Sequence, residues 1–109
     1  MHRVFLGEFE QLLLLAVDSL GDQAYGVGIR RHLEECAERT VSPGAIYTAM
    51  DRLQARGYVS SRLGDPSPMR GGKRKRFYQL EPEGRLALRR SQERLMRATH
   101  GFALQSERK

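Results

Sequence analysis

A basic segment in the second half of the chain carries the residues with the clearest chemistry. Residues 69–78 read MRGGKRKRFY, which is five cationic side chains around two glycines, followed by two aromatics. Lysine and arginine bind phosphate groups, and a glycine backbone approaches a phosphate closely because it has no Cβ. The candidate phosphate contacts are Arg70, Gly71, Gly72, Lys73, Arg74, Lys75 and Arg76. Taken alone, the segment is equally well explained as a solvated surface loop.

Residues that could support catalysis or bind a metal are sparse. His32 and Cys36 are four residues apart on a predicted helix, but no further ligand cluster accompanies them. The segment 26–31 begins like a dinucleotide-binding fingerprint, yet Arg31 replaces its third glycine and no strand precedes it. No serine, histidine and aspartate have a spacing that indicates a catalytic triad. We therefore predict a protein without enzymatic activity, metal or cofactor.

The charge of the chain is unevenly distributed. The 109 residues suffice for one domain, and their formal net charge is +6. Residues 1–41 carry four Arg against seven Asp and Glu, whereas residues 42–80 carry eight Lys and Arg against two Asp. Residues 81–109 carry seven Lys and Arg against four Glu. The positive field therefore lies mainly in the middle of the chain, and it favours an anionic partner.

Cysteine content and hydropathy indicate the compartment. Cys36 is the one cysteine of the sequence, so an internal disulfide is impossible and a reducing compartment is expected. The apolar run at residues 12–17 is far shorter than the roughly 20 residues that span a bilayer. We predict a cytoplasmic protein that does not associate with membranes.

The first two helices are predicted from their apolar stripes. Residues 9–20 have apolar side chains at helical spacing, but Leu14 and Leu15 lie off this stripe. A helix that is apolar on two sides needs cover on both, and a second subunit would supply it. A second helix is expected over residues 25–38. The residues expected on its buried side are Tyr25, Ile29, Leu33 and Cys36.

The third helix has the strongest local signals. Ser42 is suited to the N-cap, Pro43 to the first helical position and Gly57 to the residue after the C-cap. The predicted core stripe comprises Ile46, Ala49, Met50 and Leu53. The predicted outer face comprises Gly44, Tyr47, Thr48 and Asp51, with Arg52 on its flank.

Two strands and a long helix complete the chain. Residues 58–63 and 75–80 alternate as strands do, and residues 64–74 form a connection too long for a tight hairpin turn. Only one of Lys75 and Arg76 can then face a bound polyanion, and at most one of Phe77 and Tyr78 can be fully in the core. A last helix is predicted from Pro82 to about residue 104.

This order of elements is typical of a winged helix-turn-helix. In that fold the third helix enters the major groove of DNA, and the hairpin loop, or wing, lies along the backbone. On the last helix, Leu88, Leu95 and Phe102 repeat every seven residues, with Met96 beside them. Together with the two-sided first helix, this repeat predicts a two-fold symmetric dimer.

Several segments in the expected order resemble the PadR family of bacterial transcriptional regulators, over nearly the whole chain. They are residues 6–10, 24–26 with Ile29, 41–48 with Leu53, 57–59, and 70–80 leading to Pro82 and Gly84. The resemblance implies a winged-helix domain that dimerises through its first and last helices. It implies binding to operator DNA, usually as a repressor. The chain is similar to the short class, which has a single C-terminal helix.

On this resemblance, residues 1–81 form the DNA-binding domain and residues 82–109 the dimerisation helix and tail. The recognition helix would carry Ser42, Pro43, Gly44, Tyr47 and Thr48, with Arg52 beside them, and the wing would carry residues 70–76. The expected dimer interface comprises Phe5, Leu6, Leu14, Leu15, Leu88, Leu95, Met96 and Phe102. The alternatives are a protein-interaction module that uses the dimer helices, and a sensor with a small-molecule pocket between the subunits.

Overall fold

The computed structural model describes residues 5–65 and 74–107, with side chains described through residue 102. It is mostly helical with one two-stranded antiparallel hairpin, as predicted. The elements are α1 Glu8–Leu20, a single 3-10 turn Gly21–Gln23, α2 Gly26–Ala37, α3 Pro43–Ala55, β1 Val59–Leu63, β2 Arg76–Leu80 and α4 Pro82–Glu107. The predicted boundaries agree to within a residue or two, except that α4 ends later.

The core surrounds α1, which contacts α2, α3, β2 and α4. Leu13, Ala16 and Val17 are buried, as the apolar stripe predicts. The interpretation that Leu14 needs a second subunit for cover is wrong, because Leu14 is fully buried within the single chain. Elements pack around α1 on both of its apolar sides, so most of the cover that a partner would supply is already present.

The ends of α3 confirm its predicted capping. The Ser42 side chain accepts a hydrogen bond from the backbone N–H of Ala45 at 3.2 Å, and Pro43 occupies the first helical position. Gly57 has a φ of 79°, the left-handed conformation that favours glycine after a helix. Three members of the predicted core stripe, Ile46, Met50 and Leu53, are buried, and Ala49 is half-buried against the core. Helix α3 therefore presents its opposite face to solvent.

The hairpin is extended by a short segment before α2. In the register of the hairpin, Val59 lies opposite Leu80 and Ser61 opposite Tyr78. The backbone N–H of Tyr78 donates to the carbonyl of Ala24 at 2.8 Å, and Tyr25 forms an antiparallel bridge with Phe77. This isolated bridge ties the hairpin to the start of α2. The apolar pattern of the sequence did not predict it.

Helices α2 and α4 differ from expectation at their ends. Ile29 and Leu33 are buried, but Cys36 is exposed, because it lies in the last turn of α2 beyond the elements that cover the helix. On α4, Leu88 is buried, whereas described residues 92–102 are all exposed. Within the described ranges, no helix is both long and apolar enough to cross a membrane.

Candidate nucleic-acid interface

The outer face of α3 is open at its N-terminal end. Ser42, Pro43, Gly44 and Thr48 are exposed, and so is Arg52 one turn further on. A Cβ built on Gly44 would have no atom within 4 Å, so the backbone there is accessible to a ligand. The free N–H groups of a first helical turn carry partial positive charge and attract anions. This end of α3 can therefore approach a polyanion closely.

Tyr47 is held at the border between α3 and α2. Its side chain is 45% exposed, yet a Cβ built on Gly26 would lie 2.6 Å from its hydroxyl oxygen. A Cβ at position 26 would therefore displace the tyrosine hydroxyl from this position. Gly26 thus allows the Tyr47 ring of α3 to lie close against α2.

Arg30 is a candidate site residue that its position in the sequence did not indicate. It borders a crevice of about 80 Å³ between α2 and α3, together with Pro43 and Tyr47. Its Nε is buried and has no hydrogen-bond partner among the described residues. A guanidinium donor left unpartnered next to an open helix N-terminus is suited to an anionic ligand. In the sequence, Arg30 lies within residues 26–31, whose glycines resemble part of a dinucleotide-binding fingerprint.

The described part of the wing separates its cations onto two sides. Lys75 is half-buried, with Nζ 4.4 Å from the centre of the Tyr25 ring. Arg76 points to the opposite side, where Nη1 donates to Ser61 Oγ at 3.0 Å. The predicted alternation is therefore present, and Arg74 before them is exposed. The remaining wing candidates, Arg70, Gly71, Gly72 and Lys73, lie outside the described residues.

The base of the wing is stiffened by aromatic stacking. The rings of Tyr25 and Phe77 lie 5.6 Å apart at an angle of 58°. The Arg62 guanidinium lies 4.8 Å from the centre of the Phe77 ring, and Lys75 covers Tyr25. Each cation over a ring contributes about 0.5–1 kcal/mol at an exposed site. The hairpin is thus anchored to α2 through side chains as well as through the backbone bridge.

Tyr78 is the one strand aromatic in the core, as the alternation predicts, and it is only 3% exposed. Its hydroxyl is buried without a hydrogen-bond partner among the described residues. Burial raises its pKa above the usual value; Arg76 lowers it, and Asp51 and Tyr47 raise it further. Tyr78 therefore brings the wing strand close to the side chains of α3.

The residues predicted for a dimer interface divide into two groups. Phe5, Leu95, Met96 and Phe102 are exposed at 43%, 60%, 68% and 70%, and Leu15 is half-buried. Leu6, Leu14 and Leu88 are buried in the core of the single chain, so their assignment to the surface of an interface is corrected. They are buried because α1 and α4 pack against each other within the chain.

No group of three or more potential metal ligands occurs among the described residues. His32 Nδ1 and Cys36 Sγ are 3.8 Å apart on the exposed side of α2. A polar cleft of about 430 Å³ lies between the end of α1, the hairpin and the start of α4. Asp18, Arg62, Phe77 and Arg85 are among its lining residues, and an Asp18–Arg85 ion pair of 2.6 Å closes one side.

Comparison with known proteins identifies the family. The model of the transcriptional regulator PadR-like family matches residues 14–90, which include all of α2, α3 and the hairpin. The chain belongs to the PadR-like family. This PadR-like protein is therefore a DNA-binding transcriptional regulator with a winged helix, and its family is one of regulators, not of enzymes. No curated protein has a significant sequence match to it.

Solved structures share the fold of this PadR-like chain. A PadR family transcription regulator from Clostridium difficile superposes with a TM-score of 0.71 at 23% identity, covering 90% of this chain and 99% of the other. A PadR family transcriptional regulator from Eggerthella lenta gives 0.70 at 22% identity, covering 94% and 88%. The Aeropyrum pernix ORC1 protein, solved in complex with DNA, gives 0.63 at 25% identity, covering 79% and 23%.

Proposed function

We propose that this PadR-like regulator binds operator DNA sequence-specifically as a homodimer and represses transcription from the promoters that contain it. The observation that carries the proposal is the position of the wing base beside the open face of α3. At the base of the wing, Arg76 Nη1 donates to Ser61 Oγ at 3.0 Å, and the Ser61 hydroxyl donates to Gln54 Oε1 of α3 at 2.8 Å. One surface therefore offers both a helix for the major groove and cations for the backbone.

Within that surface, the roles follow from side-chain chemistry. Thr48, Tyr47 and Arg52 have donors and acceptors that suit base edges, whereas Ser42, Pro43 and Gly44 bring the helix N-terminus to the backbone. Arg74 and the wing cations before it would contact phosphates and supply affinity without sequence preference. The similarity to a protein solved in complex with DNA supports this use of the fold.

Arg30 extends the backbone contacts to α2. Its unpartnered Nε and its place in the crevice beside the N-terminus of α3 support a contact with the DNA backbone. We assign it a phosphate contact on the flank of the recognition helix.

The dimer would use the exposed apolar side chains of α4 together with Phe5. Leu95, Met96 and Phe102 lie exposed in the second half of α4, and the Arg94 guanidinium just before them lies 4.0 Å from the centre of the Phe5 ring. Exposed large apolar side chains at heptad-like spacing favour a second copy of the helix. Two-fold symmetry would then place two recognition helices about 34 Å apart, one DNA turn.

A bound dimer would repress transcription by covering promoter DNA to which RNA polymerase must bind. The test is binding of the purified protein to duplexes from its own upstream region at several salt concentrations, followed by run-off transcription from the bound fragment. Specific retention over bulk DNA together with reduced transcript supports the proposal. Equal and weak binding to all sequences would contradict it.

A second candidate function is the sensing of a small molecule. The observation that favours it is the 430 Å³ polar cleft, which is formed within one chain instead of between subunits. Arg62, Gln79 and the Asp18–Arg85 ion pair line the cleft, so a small polar metabolite suits it. Thermal unfolding against a metabolite set tests it, because a ligand that binds the folded state raises the unfolding temperature.

A further inference from the structure

A chain of hydrogen bonds connects the wing to the recognition helix. Arg76 Nη1 donates to Ser61 Oγ at 3.0 Å, and the Ser61 hydroxyl donates in turn to Gln54 Oε1 at 2.8 Å. Arg76 belongs to the descending strand of the wing, Ser61 to the ascending strand and Gln54 to the last turns of α3. Ser61 uses its hydroxyl both as acceptor and as donor, so it connects all three elements.

The register of the hairpin places these groups on one side. Ser61 lies opposite Tyr78 and Leu63 opposite Arg76, so all four side chains share the face that packs toward α3. Tyr78 is buried on that face, and its pKa is affected by both Arg76 and Asp51. The Arg76 guanidinium therefore lies along the junction between the wing and α3.

The neighbouring cation, Lys75, does not face the same side as Arg76. Lys75 lies on the opposite face, where its ammonium group covers the Tyr25 ring. Both cations at the base of the wing are thus engaged by the protein itself, whereas Arg74 has no such contact among the described residues.

We infer that Arg76 is a positioning residue: through Ser61 and Gln54 it fixes the wing relative to the recognition helix, and it is not a phosphate contact. The inference rests on the proposed DNA-binding function, which it deepens. A wing held at one angle lets base contacts from α3 and phosphate contacts from the wing form together on one DNA site. Loosening the connection lowers discrimination between sequences while the number of phosphates contacted stays the same.

The test compares serine variants, which remove the connection without altering charge, with arginine variants that each remove one charge. Ser61→Ala deletes the central hydroxyl, Ser61→Thr retains it in a residue that suits a strand, and Ser60→Ala removes a neighbouring hydroxyl from the opposite face. Arg76→Gln and Arg74→Gln each remove one charge. Affinities for a duplex selected from a random library and for a scrambled duplex are measured over a salt series.

The expected result is a loss of discrimination without a loss of salt dependence. Ser61→Ala lowers the ratio of specific to non-specific affinity roughly three- to tenfold, the effect of one or two hydrogen bonds. Ser61→Thr and Ser60→Ala bind like the unaltered protein. Arg74→Gln makes the salt dependence shallower by about 0.9 in log–log slope, while Arg76→Gln leaves the slope unchanged. The inference is overturned if Ser61→Ala binds normally and Arg76→Gln flattens the slope as Arg74→Gln does.

A measurement without DNA keeps this outcome separate from the proposed function. Urea unfolding of Ser61→Ala, Arg76→Gln and the double variant forms a mutant cycle for the free protein. If the three groups act together, the double variant unfolds at the same urea midpoint as the less stable of the two single variants. Additive shifts in the unfolding midpoint would overturn the inference, whether or not the protein selects a DNA sequence. If the wild type is selective and the shifts are additive, the inference fails while the proposed DNA binding stands.

Discussion

Adjacent arginines on α2 have different surroundings and therefore different expected roles. Arg30 borders the crevice beside α3 with its Nε unpartnered, whereas Arg31 is exposed to solvent. Helical spacing turns successive side chains by about 100°, so only one of the two can face α3. The residue type alone does not distinguish them; the packing of α2 against α3 does.

Replacing Arg30 by Gln should weaken binding to every DNA sequence by a similar factor, because a phosphate contact carries no sequence information. We expect a loss of roughly tenfold and a salt slope that is shallower by about 0.9. Arg31→Gln is the matched control and should change both quantities less. Anisotropy titrations of the two variants against the same duplexes check this. Equal effects of both substitutions would argue for a general field effect instead of a contact.

Tyr78 makes folding sensitive to alkaline pH. Burial holds the pKa of its hydroxyl above the ordinary value, so the folded chain keeps the proton after the unfolded chain has released it. The free energy of unfolding should therefore fall as pH rises above about 10, the ordinary tyrosine value. Below that pH, Tyr78 does not make the free energy of unfolding depend on pH, because it is protonated in both the folded and the unfolded chain.

The Tyr78→Phe variant should lose this alkaline decline. It should also be at least as stable as the wild type at neutral pH, since it removes a buried hydroxyl that has no hydrogen-bond partner among the described residues. Urea unfolding of both proteins between pH 7 and about 11 measures the difference. If the two curves remain parallel above pH 10, the pKa of the Tyr78 hydroxyl is not raised in the folded protein.

At the scale of elements, close packing at one glycine holds α4 against the hairpin. A Cβ built on Gly84 would overlap the carbonyl oxygen of Tyr58 and lie 2.9 Å from a Leu80 methyl. The backbone of Tyr58 cannot move without disturbing β1, because Tyr58 also accepts a hydrogen bond from the N–H of Glu81 at 2.9 Å. Position 84 therefore couples the start of α4 to the base of the wing.

Gly84→Ala should destabilise the fold by about 1–3 kcal/mol, the usual cost of overpacking, despite the better helix propensity of alanine. Gly101→Ala in the same helix is the matched control, since a Cβ there meets nothing within 4 Å. It should be neutral or stabilising by up to about 1 kcal/mol. Thermal unfolding of both variants measures this. If the Gly84→Ala protein is as stable as the Gly101→Ala protein, the close approach of Gly84 to the Tyr58 carbonyl is contradicted.

Elements with local signals could be predicted, and contacts between elements could not. Ser42, Pro43 and Gly57 define α3 because capping depends on neighbours in sequence. The bridge between Tyr25 and Phe77 joins residues 52 positions apart, and no periodicity in the sequence reports it. The burial of Leu14 and the exposure of Cys36 likewise depend on which elements pack nearby.

The candidate site shows the same division. The outer face of α3 followed from the position of its apolar stripe, so the exposure of Tyr47, Thr48 and Arg52 could be predicted. Arg30 was missed because its role depends on the packing of two helices. The alternation of the wing strand predicted that Lys75 and Arg76 point apart, but not that each one contacts another part of the protein.

At the scale of the whole molecule, the exposed second half of α4 is the surface that we expect a second copy of the chain to cover. The helix has 26 residues and is therefore about 39 Å long, while its buried positions end at Ser91. Leu95, Met96 and Phe102 remain exposed in the single chain. Large apolar side chains on a free helix end would be covered by dimerisation.

Leu95→Glu should shift the protein from dimer to monomer, because it places a charge in the proposed apolar contact. Leu63→Glu introduces the same charge at another exposed leucine, 49% accessible on the hairpin, and should leave the dimer intact. Sedimentation equilibrium of both variants and of the wild type decides the point. A monomeric wild type would remove the dimer from the proposed function, together with the 34 Å half-site spacing.

The most direct test of the account is a comparison of two duplexes of equal length and composition. One is enriched by this protein from a random library, and the other is its scrambled version; anisotropy titrations follow both over a salt series. We predict that the enriched duplex is bound at least about 1000-fold more tightly, and that both affinities fall steeply with salt. No enrichment, or equal affinities for the two duplexes at every salt concentration, would contradict sequence-specific DNA binding by α3 and the wing.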